Sequence, residues 1–138
     1  MKADGTARKR ILYLSVVDPT LFVTGATVRM NAFVRFLAKS YDIDIVCLAG
    51  SGHKADYTDA DQALIPMVDR FIRHDFRQYR YFLFSRRLYT EAASLLQRNH
   101  YDLLITEYGL SALYGVLLKK RFQIPWVYSS HNIEFRMY

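Results

Sequence analysis

His131, Asn132 and Glu134 follow directly on an apolar run in the stretch Pro125-Trp-Val-Tyr-Ser-Ser-His-Asn-Ile-Glu134. A histidine just past a buried strand can act as a neutral hydrogen-bond partner or as a general acid or base near neutral pH. The competing reading is a histidine that only satisfies loop backbone. Glu107 closes another apolar run, Asp102-Leu-Leu-Ile-Thr106, and with Glu134 would offer carboxylates for hydroxyl groups or a base. A helix cap or a solvated charge is the alternative for each. Thr24-Gly25-Ala-Thr27 places a glycine at a strand-to-helix turn, where backbone approaches a ligand and a helix N-terminus offers unpaired N–H groups to an anion. A plain helix cap competes there too, because neither G-x-G-x-x-G nor G-x-x-x-x-G-K-[ST] is present. Asp18, before Pro19, is suited to starting a turn.

The elements that position these residues follow from hydrophobic spacing. Residues 11–17, 43–48, 102–106 and 125–130 are continuous apolar runs, the pattern of strands buried on both faces. Ala26, Met30, Phe33, Val34 and Leu37 recur at helical spacing after Gly25. Residues 61–67 predict a short helix ended by Pro66, and residues 69–74 an edge-like strand. Residues 80–99 read as a long helix with Leu83, Leu88, Ala92 and Leu95 or Leu96 inward and arginines outward. Leu110, Leu113, Tyr114, Leu117 and Leu118 mark another, finished by Lys119-Lys-Arg121, where cations favour a helix C-terminus. Strands alternating with helices imply an α/β fold with a doubly wound parallel sheet in a single domain. In such sheets ligands sit beyond the carboxyl ends of the strands.

Bulk properties narrow the function classes. A 138-residue chain that is 51% hydrophobic and 23% charged has a globular composition. Cys47 is the lone cysteine, so it forms no internal disulfide; within an apolar run it reads as a buried thiol. The histidines at 53, 74 and 100 lie in unrelated polar segments, with no H-x-x-x-H or C-x-x-C, which argues against a zinc site. No G-x-S-x-G elbow surrounds Ser130, so serine-hydrolase chemistry is not expected. The first apolar run is seven residues long, too short for a membrane span, and has no cleavage site for a signal peptide; a cytoplasmic location is expected. The net charge of +6 concentrates in residues 70–89, where Arg70, Arg73, Arg77, Arg80, Arg86 and Arg87 interleave with aromatics. That face suits a membrane surface or a lipid diphosphate, or else is a solvated helix face; nucleic acid is not expected, since no recognised binding motif accompanies the charge.

Taken together, these stretches resemble the N-terminal, Rossmann-like domain of GT-B glycosyltransferases of the family 4-like group. The resemblance lies in the first strand, the loop reaching Thr24-Gly25-Ala-Thr-Val-Arg29, the Asp102-Leu-Leu-Ile-Thr-Glu107 strand, and the P-x-V…H-N-x-E ending. It implies half of a GT-B fold, and retaining, metal-independent transfer of sugar from a nucleotide-sugar donor to a glycan or lipid-linked acceptor, as in polysaccharide biosynthesis, with no cofactor. By resemblance Gly25, with Thr24, approaches the sugar or diphosphate, and His131 contacts the transferred sugar as the catalytic residue. Asn132, Glu134 and Glu107 complete the expected substrate-binding set. Arg73, Arg77, Arg80, Arg86 and Arg87 would touch membrane phosphates, with the protein peripheral on the inner face of the membrane.

Two departures stand out. The family commonly carries Gly-Gly where this chain has Thr24-Gly25. No glutamate pair has the E-x7-E spacing of the donor-binding second domain, so residues 1–138 are expected to be the acceptor side without that C-terminal domain, and inactive alone. The rival expectation is a non-catalytic Rossmann-like module that binds membrane phosphates or a partner chain through residues 70–87.

Overall fold

The computed structural model describes residues 7–20, 25–50, 62–76 and 84–130. Among them, strands β1 (Arg10–Ser15), β2 (Asp42–Gly50), β3 (Arg70–Phe76), β4 (Leu103–Glu107) and β5 (Trp126–Ser129) alternate with helices α1 (Gly25–Ala38), α2 (Arg86–Arg98) and α3 (Ser111–Phe122). Every strand pairing is parallel, in the order β3-β2-β1-β4-β5. The chain winds outward from β1 to β3, then returns to β4 and winds the other way. The sheet therefore reverses between β1 and β4, which is where a crevice opens at the carboxyl edge of such folds.

Apolar alternation explains why both faces of the sheet are buried. Leu12 and Leu14 of β1 join Val46, Leu104, Leu88, Ala92, Tyr114 and Leu118 beneath α2 and α3. Ile11 and Tyr13 point the other way and pack with Ile43, Ile45, Ile105, Met30 and Val34 beneath α1. Cys47 lies in this second layer, free and buried, and burial pushes its thiol well above the ordinary range.

Several expectations change in detail. Residues 61–67 supply only a 3₁₀ turn, Ile65–Met67, because Pro66 sits in its first positions and provides no N–H to extend it. The helix expected over residues 80–99 begins at Arg86. Ser85, in extended backbone, caps it by accepting the N–H of Leu88 with its side chain. In α1 the buried face is Thr27, Met30, Asn31 and Val34, whereas Phe33 turns outward. In α3 it is Ser111, Tyr114, Gly115 and Leu118, leaving Leu110, Leu113 and Leu117 exposed. The reason is Trp126: its indole lies over Gly115, where an added Cβ would come within 2.2 Å of the ring. The indole N–H donates to Thr106 Oγ1 at 2.9 Å, so the glycine face of α3 is pulled onto the sheet and the leucine stripe rotates outward.

The amino edge of the sheet is tied by charge. Asp44 of β2 is fully buried and receives Arg10 Nη2 at 2.9 Å and the Tyr101 hydroxyl. The Arg10 guanidinium also stands 5.3 Å from the centre of the Tyr101 ring. These contacts join β1, β2 and the entry to β4 at the end of the sheet remote from the crevice.

Candidate functional site

The carboxyl edge is built from the ends of β1, β4 and β5. Ser15, Glu107 and Ser129 stand in register across these three strands. Glu107 is the last residue of β4, not one beyond it, and is fully buried. Ser129 Oγ donates to its Oε1 at 3.2 Å. Burial raises the Glu107 pKa to about 7, against a smaller lowering by the Ser129 hydroxyl. A carboxyl that titrates near neutrality at a sheet switch point can hold or give up a proton within the working range of an enzyme. Its burial makes it a support beneath the edge, bearing on the surface through Ser129.

Immediately after Glu107 the chain turns through two consecutive left-handed residues, Tyr108 (φ 70°) and Gly109 (φ 52°). Glycine adopts this region freely; tyrosine does so at a cost of order 1 kcal/mol or more. The turn is held by Tyr108 N–H donating to the Ser129 carbonyl (3.2 Å) and by the Tyr128 hydroxyl donating to the Gly109 carbonyl (3.1 Å). Tyr108 is thereby presented, exposed, at the crevice edge.

The segment leaving β1 is fastened more firmly. Asp18 is fully buried. Its Oδ1 accepts both the N–H (2.9 Å) and the hydroxyl (2.7 Å) of Thr20, the turn that Asp-Pro-Thr predicts. Its Oδ2 forms an ion pair with Arg73 of β3, whose Nη2 also donates to Thr20 Oγ1 at 3.0 Å. Asn31 of α1 donates to the Pro19 carbonyl at 3.0 Å. The first residue of α1 is Gly25, and open space surrounds the position a Cβ would take there.

Of the residues expected from the sequence, the structure brings Gly25 and Glu107 to this edge. Ser130, the last described residue, immediately precedes His131 in the chain; His131, Asn132, Glu134, Thr24, Arg77 and Arg80 lie outside the described residues. Arg73 is drawn into the loop anchor, while Arg70, Arg86 and Arg87 are exposed. Sequence reading missed Thr20, Asn31, Tyr108 and Ser129. For Asn31 a signal existed: it lies four residues after Thr27 and one after Met30, on the inward face. His74, given no functional role by the sequence, stands 3.5 Å from Glu91 and links β3 to α2. No cluster of His, Cys, Asp or Glu suited to a metal ion occurs among the described residues, and no described helix is long and apolar enough to cross a membrane.

Among the described residues, a five-stranded, all-parallel sheet flanked by three helices, with its reversal at β1/β4, defines a Rossmann-like α/β domain, and in such folds ligands sit at that edge. The family model for Glycosyltransferase Family 4 matches residues 23–138, so the chain belongs to that family, as an N-terminal domain of its type. Among solved structures the fold is similar to the C-terminal domain of a hydrogenase from Pyrococcus furiosus, with a TM-score of 0.61 over 88% of this chain and 90% of that one. At 11% identity that likeness concerns the fold alone. No curated protein matches the chain.

Proposed function

We propose that this domain is the acceptor-side half of a GT-B glycosyltransferase that moves a sugar from a nucleotide-sugar donor to a glycan or lipid-linked acceptor, as in polysaccharide biosynthesis. The observation that carries this is the family match over residues 23–138, which includes both the glycine turn and the His-Asn-Ile-Glu ending. The sheet order supports it: β5 delivers the chain to the same carboxyl edge at which Gly25 opens α1. On this reading a second, donor-binding domain closes over that edge and supplies most contacts to the nucleotide. This half then contributes the acceptor surface and His131, as a hydrogen-bond donor to the transferred sugar, with Asn132 and Glu134 beside it.

In the complete enzyme, His131→Ala is expected to lower turnover about a hundredfold, the scale of one lost transition-state donor, with the melting temperature unchanged. Steady-state kinetics beside thermal unfolding checks it; wild-type turnover in the variant would remove His131 from the site.

Arg86 and Arg87 favour a second role that is compatible with the first. They stand exposed in the first turn of α2, beside the exposed ring of Phe84. Cations at a helix N-terminus oppose the helix dipole, so their placement asks for an anionic partner. We infer a peripheral contact with membrane phosphates on the cytoplasmic side. Arg86→Glu with Arg87→Glu is expected to weaken binding to phosphatidylglycerol vesicles about thirtyfold, at roughly 1 kcal/mol per cation, in a sedimentation assay at fixed salt. Unchanged sedimentation would remove this contact.

A further inference from the structure

We propose that Arg73 is a positioning residue: it fixes the segment after β1, and through it the approach to Gly25, in the form that receives the ligand. The inference rests on the reading of the carboxyl edge as the acceptor side, and it gives a role to a residue outside the motifs that carry that reading.

Arg73 belongs to the outermost strand on its side of the sheet, yet its guanidinium reaches across β2, at the level of Cys47, to the residues following β1. There it makes a two-point contact, Nε with the Asp18 carboxylate and Nη2 with Thr20 Oγ1. The fork geometry matters, because a guanidinium can engage a carboxylate and a neighbouring hydroxyl at once, whereas an ammonium is a single point charge. Asp18 in turn carries Thr20 through both its N–H and its hydroxyl, and Asn31 holds the intervening Pro19 carbonyl. The segment is thus fastened from β3 and from α1 before the chain continues to Gly25. The Phe71 ring, on the same face of β3, stands 5.0 Å from the guanidinium carbon and limits its rotamers.

The arrangement is expensive unless it serves the loop. Asp18 is wholly buried, and a buried ion pair gains little net stability over apolar residues of equal volume. What the pair does provide is one defined conformation for the segment. The residues it fastens follow β1 in the chain, so loosening it should free that segment before it unfolds the sheet.

Native-state amide exchange on the full chain tests this with Arg73→Met and Arg73→Lys. In Arg73→Met the Thr20 amide is expected to exchange at least about tenfold faster, while Leu12, Tyr13 and Leu14 of β1 keep their protection. Arg73→Lys, which retains charge without the fork, should fall between that variant and the wild type. Unchanged exchange at Thr20 in both variants overturns the proposal. So does an equal acceleration throughout β1, since that marks a merely structural residue. If Arg73→Met fails to fold, Arg73→Lys decides on the same criterion. In the complete enzyme both variants should raise the acceptor KM more than they lower kcat. Absence of any sugar transfer by the wild type would sink the proposed function while leaving the exchange result to judge Arg73 independently.

Discussion

Asp44→Ala is expected to destabilise the domain by about 3 kcal/mol, the low end for breaking a buried pair because Arg10 retains partial contact with water. The carboxylate is fully buried at the amino edge, with partners on two different elements: Arg10 on β1 and Tyr101 just ahead of β4. Its removal leaves the Arg10 guanidinium without its counter-charge and the Tyr101 hydroxyl without its acceptor. Each unsatisfied group then costs its own desolvation. For a domain of this size the melting temperature should fall by about 10 °C. Asp44→Asn keeps an acceptor for the tyrosine and should lose roughly half as much, a ranking that distinguishes lost charge from lost shape. Thermal unfolding at neutral pH reads both. A melting point for Asp44→Ala within a degree or two of wild type would mean that the edge is held by the apolar core alone.

The second large effect is a dependence on pH carried by Glu107. Burial raises its pKa from 4.5 to about 7 in the folded chain. The folded state therefore prefers the protonated acid, and the unfolded state gives up that proton first as pH rises. Stability attributable to this group is fully present below about pH 4.5, declines between there and about pH 7, and is constant above. Between pH 5 and pH 8 the wild type should lose about 2.5 kcal/mol relative to Glu107→Gln, which keeps the shape and cannot ionise. Urea unfolding of the two proteins across that range isolates the term, since every other titrating group is common to both. Parallel stability curves would show that Glu107 is solvated or paired well enough to stay ionised. The same property matters for catalysis, because a neutral acid beneath Ser129 and an ionised one present different hydrogen-bond patterns to whatever occupies the edge.

Much of this could be read from the residues in order. Continuous apolar runs gave four strands to within two residues at their ends, because strands covered on both faces leave no polar position to confuse the pattern. The helices were harder. In α3 the expected leucine stripe competes with a narrower face that admits the Trp126 indole over Gly115, and a long-range contact of that kind leaves no periodic trace. In α1 the inward Asn31 was not singled out, because its partner, the Pro19 carbonyl, lies in a turn that helical spacing does not show. The site shows the same division. Gly25 and Glu107 stand at element boundaries, which the sequence pattern reveals, so their location at the carboxyl edge of the sheet was legible. Arg73 was not: among six arginines in residues 70–87 it looked like one more surface cation, and only the strand order brings it above β2 to Asp18.

The central claim is that this edge belongs to a sugar-transferring enzyme. The most direct measurement is transfer of labelled sugar, from a panel of UDP- and GDP-sugars, to a membrane-lipid extract by the full-length protein that carries this domain. The account predicts a labelled product with at least one donor, formed with the anomeric configuration of that donor retained and undiminished by a chelator. No labelled product with any donor, from protein shown to be folded, would contradict it.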